Sequence, residues 1–132
     1  MVGKSGRIAY RIGLAVALAA SFLEVWINLA VGIVGSEDNP VNQGFFLVVA
    51  TAWACAFTAR LRAEGMARAM LAVAAVQAML GVAVATAPST APVEPMGAIG
   101  VLALSGVFTA LWLVSAALFH TSARREALAA VA

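Results

Sequence analysis

Charge is scarce in this chain. Only 11% of its 132 residues are Asp, Glu, Lys or Arg, where a soluble domain of this size carries about 25%. Cysteine and histidine are scarcer still, with one of each, Cys55 and His120. A lone cysteine excludes an intrachain disulfide and a thiolate metal cluster. A lone histidine excludes a bis-histidine haem and a His-rich zinc site within one chain. Proline is missing from every long apolar run, since Pro40, Pro88, Pro92 and Pro95 all fall in two short turns. A Ser/His/Asp set, a zinc motif, a phosphate-cradling loop and paired carboxylates are missing too. The expectation is therefore a protein that is not an enzyme and holds no cofactor and no metal.

What the chain has instead is apolar length. Hydrophobic residues make up 64% of it and the mean hydropathy is +1.00. Runs near 20 residues match a hydrocarbon core of about 30 Å at 1.5 Å per helical residue. The sequence predicts an all-α membrane fold, an antiparallel four-helix transmembrane bundle forming one integral domain over 1–132. The expected spans are 8–34, 40–61, 66–86 and 96–119, followed by a short basic tail, 120–132. Four spans and their turns leave no length for a soluble domain. The N-terminal run has the basic flank and the Ala17-Leu18-Ala19 of a secretory signal, but it continues well past the 7–15 residues of a signal core. It is read as an uncleaved first span.

Glycine and asparagine punctuate these runs. Gly35 is placed to end the first span. Asn39 is suited to cap the next helix and Pro40 to occupy its first position, where a missing N–H costs nothing. Arg60, Arg62, Glu64 and Gly65 form a tight turn between spans two and three.

The pI near 9.3 does not point to nucleic acid, because the basic residues form no groove-sized patch. They sit at span ends. All eight fall at the N-terminal flank (Lys4, Arg7, Arg11), the turn between spans two and three (Arg60, Arg62, Arg68) or the tail (Arg124, Arg125). The other two turns carry only Glu37, Asp38 and Glu94. Under the positive-inside rule, both termini are cytoplasmic and the acidic turns face outward. The arginine clusters would contact anionic headgroups of the lipid bilayer.

Spans in lipid associate through close packing and polar contacts. Gly13, Ala17, Ser21, Glu24 and Asn28 share one face of the first span. Ala52, Ala56 and Ala59 offer a small-residue face on the second, Ala74, Ala78 and Gly81 near Gln77 on the third, and Gly106 and Ala110 beside a Ser105/Thr109 face on the fourth. Glu24 stands out, because a carboxylate at membrane depth costs about 3 kcal/mol on insertion scales. No Lys or Arg lies at its level, so a protonated or proton-exchanging acid is expected. Gln77, Thr51 and Thr109 fall near the same depth, and Asn28 lies one turn further out. The expected candidate site is an inward-facing polar layer of Glu24, Asn28, Thr51, Gln77 and Thr109, hydrogen-bonded around the carboxyl. Such a layer serves either as a proton relay or as neutral glue for the bundle. Glu37-Asp38-Asn39 lacks the ligand spacing of a calcium loop and reads as a capping turn. Trp26, Trp53 and Trp112 read as packing or interfacial residues.

Two stretches, VGIVGSEDNPVN before the second span and ARLRAEGMARAMLAVAAVQA bridging the second and third, resemble a group of small, uncharacterised four-span proteins of the bacterial inner membrane. That resemblance implies the same localisation and topology. Leu23-Glu24-Val25 is faintly similar to the first-span glutamate of small multidrug-resistance exporters, although the third span here is Ala/Met-rich rather than Gly/Trp-rich. The functional expectation is a membrane-embedded accessory or interaction protein within a homo-oligomer or larger membrane complex. The alternative is a small proton-coupled transporter using Glu24.

Overall fold

The computed structural model describes residues 4–33, 39–88, 90 and 97–131. Among them are four α-helices, α1 (Lys4–Ala30), α2 (Gln43–Thr58), α3 (Ala63–Ala85) and α4 (Gly97–Val131), and one 3-10 helix, Pro40–Asn42, leading into α2. No strand occurs among the described residues. Each of the four is long and apolar enough to cross a membrane, α2 together with its 3-10 lead.

Helix ends differ from the sequence expectation where side chains or backbone compete for the last carbonyls. α1 stops at Ala30 rather than near 34. Gly32 takes a left-handed φ of 77° and its N–H returns to the Ile27 carbonyl at 2.8 Å. Gly35, expected as the cap, lies outside the described residues, as do Glu37, Asp38 and Glu94. Asn39 and Pro40 do what their types suggest: the Asn39 side chain accepts from the Val41 N–H at 3.0 Å and Pro40 opens the helical turn. α3 begins at Ala63, earlier than expected, because extended Arg62 stands at its N-cap and its carbonyl takes the Met66 N–H at 2.8 Å. Glu64 and Gly65 therefore belong to the first turn of α3 rather than to a loop.

The α2–α3 connection is tight and strained. Arg60 and Leu61 both have positive φ, 55° and 57°, a region L-residues enter at a cost of roughly 1–2 kcal/mol each. Gly65 makes the reversal feasible, since a Cβ there would stand 2.6 Å from the Ala59 Cβ. Tyr10 of α1 fastens the turn, donating its hydroxyl to the Leu61 carbonyl at 2.6 Å while its ring packs edge-on against Phe119 of α4.

α4 is the hub. It packs along α3 on one side and α1 on the other, and α2 closes the ring by touching α3 and α1. Its buried residues include Val101, Ser105, Phe108, Trp112, Ser115, Phe119 and Ser122, alternating four and three apart as a packed helical seam requires. The face expected on this helix, Gly106 and Ala110, points away: both are exposed. α1 presents the expected stripe, with Gly13, Ala17, Ser21, Glu24 and Asn28 all buried. Ser115 donates across to the Gly13 carbonyl at 2.8 Å and Trp53 of α2 donates to Ser21 Oγ at 2.8 Å. Large apolar side chains such as Phe22, Leu29, Leu47, Phe57 and Met79 cover the outside. Aqueous solvent would penalise such a surface, whereas lipid does not.

The helix at the C-terminal end outlasts any bilayer. α4 has 35 residues, about 52 Å of helix against a core of about 30 Å. The basic segment after His120, which the sequence left open to extend the last span, continues the helix to Val131 because ALAA and its Arg and Glu neighbours are strong helix formers with no glycine or proline among them.

Candidate functional site

The strongest concentration of unusual chemistry lies inside the bundle, where α1, α3 and α4 meet. Glu24 enters from α1, Gln77 from α3, and Ser105 and Trp112 from α4. Glu24 and Gln77 are 0% exposed and Ser105 and Asn28 no more than 3%. The approach is close because Gly81, one turn beyond Gln77, lies directly against Ser105. A Cβ on Gly81 would collide with that serine.

Partners within the cluster are few. Asn28 Nδ2 donates to the backbone carbonyl of Glu24 at 2.8 Å, so it ties the helix to itself and not to the carboxyl. Trp112 Nε1 approaches Gln77 Oε1 at 3.4 Å, long for an N–H···O bond. The Gln77 amide and the Trp112 indole are the polar side chains turned toward the Glu24 carboxyl, yet neither meets hydrogen-bond geometry with it. Among the described residues five buried side-chain atoms are left without a partner: both carboxyl oxygens of Glu24, Asn28 Oδ1, Gln77 Nε2 and Ser105 Oγ. Buried polar groups are nearly always paired in folded proteins, so the concentration of orphans in a single cluster makes it the candidate site.

The chemistry available is simple. An ionised carboxyl offers only acceptors, and Asn28 Oδ1 adds another. One proton on Glu24 turns one oxygen into a donor for a neighbouring acceptor and leaves the other to receive the Gln77 N–H. No basic side chain reaches this level. Glu24 lies thirteen residues, about 20 Å, beyond Arg11, and Gln77 nine residues, about 14 Å, beyond Arg68. Among the described residues no group of three or more His, Cys, Asp or Glu side chains is placed to hold a metal ion.

Of the five residues expected in the layer, the fold brings together Glu24, Asn28 and Gln77. Thr51 does not join them. It lies on the exposed side of α2, a third of a turn from the buried stripe Phe45, Val48, Ala52 and Ala56, and its hydroxyl donates to the Leu47 carbonyl at 2.7 Å. Thr109 is half-buried and likewise turns its hydroxyl to its own helix, on the Ser105 carbonyl at 2.8 Å. A threonine satisfied by the carbonyl four residues back has no need of a polar layer. Ser105, expected beside Thr109 on a polar face of the fourth span, and Trp112, expected only as a packing or interfacial residue, take their place. The signal for them was the seven-residue interval between them on the seam of α4, which Thr109 does not share.

Compared with known protein families, with curated proteins and with solved structures, the chain matches none.

Proposed function

We propose that this chain is a small proton-coupled membrane transporter of the bacterial inner membrane in which Glu24 carries the exchangeable proton. The observation behind this reading is the set of orphaned polar atoms around a wholly buried carboxyl. A residue retained only to glue helices together would be expected to end in a satisfied hydrogen bond. Here the carboxyl is poised to gain and lose a proton among neutral partners that can donate or accept. On this reading the fully buried carboxyl must gain access to water by movement of α1 against α3 and α4, the helices that bring Gln77 and Trp112 to it. A homo-oligomer would supply the enclosed volume that four short helices lack. No enzymatic step is part of the reading.

The bundle is read as antiparallel with both ends cytoplasmic. Supporting this, the start of α1 lies beside the far end of α4, through Ser5 with Arg125 and Gly13 with Ser115, and beside the α2–α3 turn through Tyr10 with Leu61. On this reading all eight basic residues share one end, in keeping with positive-inside topology. In a Cys55→Ala background, Arg124→Cys should label only from the cytoplasm and Asp38→Cys only from outside.

The test of function is flux. Reconstituted into liposomes, the protein should move protons or a proton-linked solute in response to an acid gradient, and Glu24→Gln should abolish that movement while leaving the folded protein intact. Flux that survives Glu24→Gln would return the chain to the second reading, a membrane-embedded accessory protein. The observation that favours this second reading is the closed core, in which Glu24 has no exposed surface.

A further inference from the structure

We infer that the cavity at the arginine-rich end of the bundle is a discrete binding site for the phosphodiester headgroup of a phospholipid. The site is separate from the Glu24 cluster and does not depend on the role of that carboxyl. The cavity is an open cleft of about 780 Å³ and exists because α4 runs on as a helix well beyond His120 while α1 begins alongside it. Arg125 donates to the Ser5 carbonyl at 3.2 Å, and Tyr10 holds the α2–α3 turn against the floor. Arg7 and Arg11 enter from α1 and Arg62 from the turn.

Charge in the cavity is unbalanced. The guanidinium groups of Arg7, Arg11 and Arg62 make no ion pair or hydrogen bond among the described residues. Of the two acids lining the space, Glu64 is already engaged by Arg68 at 2.6 Å, which leaves Glu126 alone against three arginines. A planar guanidinium with free N–H donors is matched to a phosphate oxygen pair in geometry as well as charge. Beside Ser122 and Tyr10, whose hydroxyl is taken up by the Leu61 carbonyl, the remaining lining is apolar, with Leu61, Ala63, Ala123, Ala127 and Ala130. A free inorganic anion would gain nothing from that wall. A lipid, whose phosphate continues into glycerol and acyl chains, covers both kinds of surface at once. Position agrees, because the cavity lies where the apolar lengths of α1 and α3 give way to their charged ends.

The decisive comparison removes the same charge from two places. In purified full-length protein, native mass spectrometry counts the phosphatidylglycerol retained during titration. The unaltered chain should retain a single lipid saturably. Arg11→Gln with Arg62→Gln should weaken that binding at least about tenfold. Lys4→Gln with Arg124→Gln, whose side chains lie at the same end but outside the cavity, should change it by no more than about twofold. All four side chains are exposed, so helicity by circular dichroism should be unchanged in both variants. Equal weakening by the two pairs, or the absence of saturable retention, would overturn the site in favour of diffuse surface charge. An excess of inorganic phosphate should leave the lipid bound, and displacement would overturn the assignment to lipid.

Discussion

Gly81→Ala tests the contact that brings the polar cluster together. An added Cβ would sit 2.5 Å from Ser105 Oγ and closer still to its Cβ, where ordinary carbon contacts are about 3.5–4.0 Å. The serine Cβ is fixed to its backbone, so α3 and α4 must separate by about an ångström. Overpacking of this kind costs about 1–3 kcal/mol, partly offset by the helix propensity alanine gains over glycine, about 1 kcal/mol. A net loss of about 1 kcal/mol is expected. Ser105→Gly removes the obstructing atoms from the other side, so the double variant should recover most of the clash, with a coupling of about 1–2 kcal/mol. Unfolding equilibria in mixed micelles, followed by tryptophan fluorescence, measure all four corners of the cycle. Gly106→Ala is the control: nothing lies within 4 Å of a Cβ built there, so it should be neutral or mildly stabilising. The reasoning fails if the two single changes add within about 0.5 kcal/mol, or if Gly106→Ala costs as much as Gly81→Ala.

Two further outcomes follow from the strained turn. Tyr10→Phe keeps the edge-on ring contact but removes the donor to the Leu61 carbonyl, which should cost about 1 kcal/mol and show first as faster amide exchange at 59–62. Arg60→Gly relieves a left-handed conformation that arginine holds at φ 55°. It should raise the thermal midpoint by the equivalent of about 0.5–1 kcal/mol after the entropic cost of glycine, and a lower midpoint would show that the Arg60 side chain anchors the turn.

Much of the fold was legible from residue types. Four apolar runs without internal proline are four helices, and the small-residue stripe from Gly13 to Asn28 is buried along its whole length. Asn39 and Pro40 cap and open a helical turn because those side chains act locally. Legibility ended where a neighbouring helix decides. On α4, Gly106 and Ala110 have the sequence look of a packing face, yet Ser105 meets Gly81 and Trp112 meets Gln77. Thr51 has the right depth but the wrong azimuth, and depth alone is what counting along a chain supplies.

The apolar, span-forming character of the helices was therefore written in the sequence itself, as was the charge pattern on which the proposed sidedness rests. Hydropathy and charge position act residue by residue against a bilayer, and both can be summed without knowing any neighbour. Which polar atoms end up together, and which of them are left without partners, was decided only by packing. The orphaned cluster around Glu24 and the arginine-lined cavity each draw on at least three segments brought side by side by interhelical contacts, and no single helix's periodicity contains that information.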